Sequence, residues 1–238
     1  MASSITSSPV LIRCKGILFD MDGVLISSLG SVERSWTKWA GMRGVDPAHA
    51  CRIAHGCRSI ETVAKLRPDL DPEAENKVIE DLEIEDTDGV EALPGVLKLL
   101  EALPRSSWTV VTSATEPLAR VRLGAGGVSV PERIITSESV RKGKPDAAPY
   151  LAGAALLGFA PKECVVFEDA ASGTKSARAA GCTVVATTFS HSIASLAEAH
   201  YLIAGLTAVE VADIPGDDDL VLKLTAVEMR GTSLADHG

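Results

Sequence analysis

The sequence predicts an α/β fold, a doubly wound parallel sheet interrupted after its first strand by an inserted helical segment. Three observations point there. From residue 93 onward, short β-rich apolar runs alternate with helix-patterned segments, the order that builds a parallel sheet with crossover helices. Gly30–Glu91, by contrast, is almost wholly helix-patterned. The apolar runs also end repeatedly on polar side chains, where open α/β sheets carry their chemistry.

In chain order, the first such run is Ile17-Leu18-Phe19, which delivers Asp20 and Asp22 before Gly23 turns the backbone. Residues i and i+2 of a strand point the same way, so both acids can face one small volume at the strand end. Two close carboxylates are costly unless a cation or a shared proton relieves them, and a hard, oxygen-seeking cation such as Mg²⁺ suits them. Helix-like segments follow. Val32, Trp36, Trp39 and Ala40 share a face of Gly30–Gly44, and the two tryptophans read as core. Asp46-Pro47 and Asp71-Pro72 are N-cap-plus-proline starts, and Ser59 can cap a helix through Leu66. The acidic run Glu80–Asp88 reads as a solvated face.

After Leu93-Pro94-Gly95 comes helix Val96–Leu103, then a strand, Trp108–Thr112, that ends on the hydroxyls of Thr112, Ser113 and Thr115. Helix Pro117–Leu123 and a short strand, Arg133–Ile135, lead to the basic loop Arg141–Pro145 and helix Ala148–Leu157. Strand Glu163–Phe167 ends on Glu168 and Asp169, a second pair of acids. Ser172–Ala180 is a helix closed by Gly181, and Thr183–Ala186 and Tyr201–Ile203 are further strands. Pro215–Gly238 shows no firm pattern beyond Leu220–Val227.

Composition narrows the function classes. The 238 residues are 46% apolar and 23% charged, with a formal net charge of −9, which argues against nucleic acid or an anionic membrane as the main partner. The five cysteines are odd in number and lack metal-site spacing. Cys14, Cys164 and Cys182 sit in or beside strand-like runs and read as buried thiols. No run reaches the ~18 apolar residues of a membrane span, and Met1–Pro9 lacks the apolar region of a signal peptide. The expectation is a soluble cytoplasmic protein, monomer or weak dimer.

Four strand ends or following loops therefore carry Asp20/Asp22, Thr112/Ser113, Lys144 and Glu168/Asp169. Such a set suits phosphoryl transfer, in which a carboxylate serves as nucleophile and the rest is positioning and charge neutralisation. A hydroxyl and an ammonium hold phosphate oxygens, Mg²⁺ sits between Asp20 and Asp169, and Asp22 moves a proton to the leaving oxygen.

These motifs resemble those of the haloacid dehalogenase-like hydrolase superfamily over roughly residues 10–212. Asp20-Met21-Asp22-Gly23-Val24 is similar to its first motif and Val110-Val111-Thr112-Ser113 to its second. Lys144 in Gly-Lys-Pro-Asp is similar to the third and Val166-Phe167-Glu168-Asp169 to the fourth. The resemblance implies a Rossmann-like core of 10–28 and 93–212 and a helical cap of 29–92, as in the β-phosphoglucomutase-like branch. Residues 1–9 and 215–238 would be peripheral. It further implies that Asp20 is the nucleophile, that Asp22 is the general acid/base, and that Ser113 and Lys144 bind the phosphoryl group. The metal ligands would be Asp20, the Asp22 main-chain carbonyl and Asp169, with Glu168 close by.

Within the branch, Ala54–Glu61, Glu85–Val90 and Val111–Thr115 resemble sugar- and polyol-phosphate phosphatases of the 2-deoxyglucose-6-phosphatase and glycerol-3-phosphatase type. That adds Thr112, Ala114, Arg58 and His55 as candidate substrate contacts. The expected activity is Mg²⁺-dependent hydrolysis of a small phosphorylated sugar or polyol. A phosphoglucomutase and a non-catalytic phosphometabolite-binding protein are the alternatives. Mutase members typically carry a histidine early in the cap, and Gly30–Trp39 has none. One departure stands out: Ser27 and Ser28 follow Val24-Leu25-Ile26 where the branch usually has an acidic residue just ahead of a serine.

Overall fold

The first apolar run forms the fully buried strand β2 (Gly16–Phe19), and a strand before it across Lys15, β1 (Val10–Cys14), enters a different sheet. The computed structural model describes residues 9–54, 58–212, 219–225 and 228–229. After Asp20 the chain turns into β3 (Ile26–Ser27) and then into four helices, α1 (Leu29–Arg43), α2 (Pro47–Ala54), α3 (Ser59–Leu66) and α4 (Pro72–Glu85). β4 (Glu91–Ala92) returns antiparallel to β3. The Leu93 N–H donates to the Leu25 carbonyl at 3.0 Å. Entry to and exit from the helical insert are thus tied to each other.

The aspartates expected to start helices do so. Asp71 Oδ1 accepts the N–H groups of Glu73 and Ala74, and Asp46 Oδ2 accepts that of His49, satisfying donors that a first helical turn leaves open. The insert has its own core of Trp36, Trp39, Ala40, Ala50, Ala54, Val63 and Ile79. Within it the two indoles meet edge-on, 5.4 Å between centroids, and Trp39 Nε1 donates to Glu75 at 2.8 Å.

The rest alternates as expected: α5 (Val96–Ala102), β5 (Trp108–Val110), α6 (Glu116–Ala125), α7 (Ala148–Leu157), β6 (Cys164–Glu168), α8 (Ala171–Ala180), β7 (Thr183–Thr187) and β8 (Tyr201–Ile203). Three more strands follow, β9 (Val209–Ala212), β10 (Leu220–Leu224) and β11 (Glu228–Met229). The main sheet has the order β11-β8-β7-β6-β2-β5, parallel except for β11 at its edge. Side chains alternate across it. Ile17, Phe19, Val165, Phe167 and Val185 join one core, whereas Leu18, Cys164, Val166, Val184 and Ala186 join another. Both faces are covered, which is why these strands read as unbroken apolar runs.

Three details differ from the sequence expectation. Arg133–Ile135 is not a full strand; Ile135 makes one bridge to Val111. The peripheral character expected of 215–238 does not extend to Leu220–Leu224, which pairs with both β1 and β9 and buries Leu222 and Leu224 completely. Glu83, within the supposed solvated face, is buried. The thiols of Cys14, Cys164 and Cys182 are free and buried, and burial pushes them up to about 12, 11 and 12. Among the described residues, no helix is long and apolar enough to cross a membrane.

Candidate active site

The carboxyl ends of β2, β5 and β6 lie side by side because these strands are parallel neighbours in the order β6-β2-β5. Asp20 follows β2, Thr112 and Ser113 follow β5, Glu168 ends β6 and Asp169 follows it. Lys144, on the loop before α7, closes the group. Its ammonium donates to Asp20 Oδ1 at 2.5 Å, to Glu168 Oε1 at 2.7 Å and to the Val111 carbonyl at 3.1 Å, which uses all three of its N–H bonds. All four charged groups are buried, with exposures of 8% for Asp20, 8% for Lys144, 1% for Glu168 and 5% for Asp169.

Burial penalises each charge, and the pairings decide the outcome. Burial pushes Asp20 up against the pull of Lys144, with Glu168 and Asp169 adding to the rise. For Lys144, burial is outweighed by Asp20 and Glu168, so its ammonium is held above the usual range. For Glu168, burial is outweighed by Lys144, so it is held down as a carboxylate. Burial likewise raises Asp169. Ligand oxygens of Asp20, Glu168 and Asp169 lie within 4.8 Å of one another. Three acids thus face one ammonium in a buried, oxygen-only donor set, which fits a hard divalent cation.

Glu168 is the most heavily engaged of these acids. Oε1 accepts from Lys144 and from the Tyr150 hydroxyl, both at 2.7 Å, and Oε2 accepts the N–H groups of Asp169 and Ala170 at 2.9 and 3.1 Å. Two glycines make room for the acids. At Gly173 in α8 a Cβ would collide with the Glu168 carboxylate, and at Gly23 (φ +79°) it would collide with that of Asp169. Asp169 Oδ2 accepts from Ser190, which also contacts His191 Nδ1 at 2.7 Å.

Asp22 stands at the mouth of the site, its side chain 34% exposed. Ser28 occupies the N-cap position of α1 yet makes no side-chain cap bond; its hydroxyl donates to Asp22 Oδ1 instead. Thus the serine beside the Ser27 departure is a direct partner of Asp22. Arg122 of α6 approaches both Asp22 oxygens at 3.3 Å, and its Nη2 lies 3.3 Å from Glu83 Oε1 of α4. Arg122 and Glu83 are each 4% exposed. Together they form a buried chain of charge from the helical insert to the core.

The site opens into a cavity of about 120 Å³ between the sheet ends and α1–α4. Asp20, Asp22, Thr112, Ser113, Ala114, Lys144, Glu168 and Asp169 all line it. Thr112 Oγ1 accepts the Ala114 N–H at 3.1 Å, a turn-forming bond within that loop. Arg58 is not among the lining residues. Its Nη2 donates to the carbonyls of Ser137 and Val140 at 2.8 and 3.2 Å, tying the start of α3 to the loop before Lys144. His55 lies outside the described residues. Sequence reasoning missed Tyr150, Arg122, Glu83, Ser190 and His191, and marked Ser28 only as part of a departure from the family pattern. Only their proximity in space to the motif residues identifies them, and no local pattern announces it.

A parallel α/β sheet with buried carboxylates and a lysine at its strand ends defines the class of fold and site. The sequence model of the haloacid dehalogenase-like hydrolase family matches residues 14–181, and the chain belongs to that family of enzymes. It is similar to hexitol phosphatase A of Escherichia coli (strain K12), 39% identical over 214 residues that cover 88% of this chain and 99% of the relative. It is also similar to glycerol-1-phosphate phosphohydrolase 1 of Saccharomyces cerevisiae, 36% identical over 201 residues covering 78% and 80%. Among solved structures, the β-phosphoglucomutase of Clostridium difficile superposes with a TM-score of 0.70 at 18% identity, covering 81% of this chain and 92% of that one; at that identity it speaks for the fold.

Proposed function

We propose that this enzyme is a Mg²⁺-dependent phosphatase that hydrolyses small sugar or polyol phosphates through an aspartyl-phosphate on Asp20. The observation that carries this is the buried cluster of Asp20, Lys144, Glu168 and Asp169, with Asp22 two residues beyond Asp20 and facing the same cavity. The names of the phosphatase relatives support the substrate class.

In this mechanism an Asp20 oxygen attacks phosphorus and the bond to the leaving oxygen breaks, while Asp22 gives that oxygen a proton. Water then attacks the aspartyl-phosphate, Asp22 takes its proton, and inorganic phosphate leaves with Asp20 restored. Ser28 and Arg122 fix the Asp22 carboxylate for both transfers. Ser113 and Lys144 face the transferring oxygens. Asp20, Asp169 and the Asp22 carbonyl would hold Mg²⁺, which supplies charge neutralisation at the phosphoryl oxygens when bound. Glu168 accepts four hydrogen bonds, about the capacity of a carboxylate. We therefore assign it first to orienting Lys144, with contact to the cation secondary.

Residues 29–92 act as a cap that covers the site, excludes bulk water and selects the leaving group. The absence of a histidine from α1 favours water over a sugar hydroxyl as the final acceptor. Phosphate release measured across sugar, polyol and nucleotide monophosphates tests the assignment. The expected result is release from sugar or polyol phosphates with Mg²⁺ and none after chelation. Activity undiminished by a chelator, or confined to nucleotides, would overturn it.

A further inference from the structure

Besides the acid cluster, the cavity is lined by Val32 and Trp36 of α1, Ser59 of α3, Glu83 of α4, and Leu118 and Arg122 of α6. Among the described residues, the lysine and arginine side chains lining the cavity are Lys144 and Arg122. Each is already matched by two carboxylates, Lys144 by Asp20 and Glu168 and Arg122 by Asp22 and Glu83. His191 also lines the cavity, and it stands 3.8 Å from Asp169. With every group ionised, the Asp22–Arg122–Glu83 chain carries one net negative charge. With one acid protonated it is neutral. In neither state does it present a free positive charge.

We infer that Glu83 is a specificity-determining residue that makes the enzyme reject phosphate esters whose leaving group carries a second anionic group. This deepens the phosphatase reading above and rests on it. Without Glu83, Arg122 would keep only Asp22, and a substrate carboxylate or second phosphate could take the vacated place at its guanidinium, the pairing that arginine makes best. With Glu83 in place, such a group enters a low-dielectric pocket beside acids and no unmatched cation, where like charges are strongly disfavoured. An uncharged polyol meets no such penalty, and its hydroxyls can donate to the carboxylate oxygens.

The test compares kcat/KM for glycerol 1-phosphate, with an uncharged leaving group, and for phosphoglycolate, whose leaving group carries a carboxylate. The wild type is expected to favour the former by at least about 100-fold. Glu83→Gln is expected to shrink that ratio by at least about tenfold, and Glu83→Asp, which keeps the charge, to retain it. A Glu83→Gln enzyme that loses activity on both substrates by the same factor would show a merely structural role and overturn the inference. Should Glu83→Gln fail to fold, the wild type and Glu83→Asp carry the test, and equal use of both substrates by either overturns it. That outcome leaves the phosphatase assignment standing. Release of phosphate from neither ester, nor from any sugar or polyol phosphate with Mg²⁺, overturns both.

Discussion

Asp20 and Lys144 meet at 2.5 Å in a site where both are buried, and what keeps them aligned lies one contact further out. Tyr150, fully buried in α7, gives its hydroxyl to Glu168, and the Lys144 ammonium stands 5.1 Å from the centre of its ring. Tyr150→Phe keeps the ring and removes the hydroxyl, so one Glu168 oxygen loses a donor in a buried setting. That should cost about 1–2 kcal/mol of stability and lower kcat several-fold through a less constrained Lys144. Denaturant unfolding and steady-state kinetics check both. A variant as stable and active as wild type would show that Tyr150 does not support the cluster. The motif acids were legible in the sequence because each follows an apolar run. Tyr150 was not, since its bond to Glu168 spans 18 residues and two elements.

Between elements, polar contacts among the described residues join the helical insert to the core. Thr115 at the start of α6 donates to Glu80 of α4 at 2.7 Å, Glu83 meets Arg122, and Arg58 reaches the Ser137 and Val140 carbonyls. Arg58 was a candidate substrate contact in the sequence. In the structure its guanidinium bonds to the Ser137 and Val140 carbonyls, ahead of the loop that carries Lys144. Arg58→Ala should therefore lower kcat/KM by a similar factor, about three- to tenfold, for a sugar phosphate and for a small aryl phosphate, because closure is weakened for every substrate. A loss confined to the sugar phosphate would return Arg58 to direct substrate recognition. Helix boundaries were legible in part from local signals: α7 matches the expected Ala148–Leu157, and α3 ends at Leu66 as expected, although Arg58 and not Ser59 stands at its N-cap. The Glu83–Arg122 contact was not legible, because an acidic run looks solvated until its partner helix is in place.

At the scale of the whole molecule, the parallel order followed from the alternation of strands and helices, whereas the three-stranded sheet β1-β10-β9 did not. β1 and β10 pair Val10 with Leu224, a contact across almost the full chain that no local period encodes. Parallel pairing of β6, β2 and β5 brings their carboxyl ends to one edge, and residues of α1–α4 line the cavity there. The central claim is that Asp20 becomes phosphorylated during turnover. Acid quenching of the enzyme turning over a polyol phosphate with Mg²⁺, followed by mass spectrometry of the Asp20 peptide, tests it directly. The expected result is one phosphoryl group on Asp20, lost on standing in neutral buffer and absent from Asp20→Asn, which does not turn over. Phosphate release at near wild-type rate by Asp20→Asn would contradict the account.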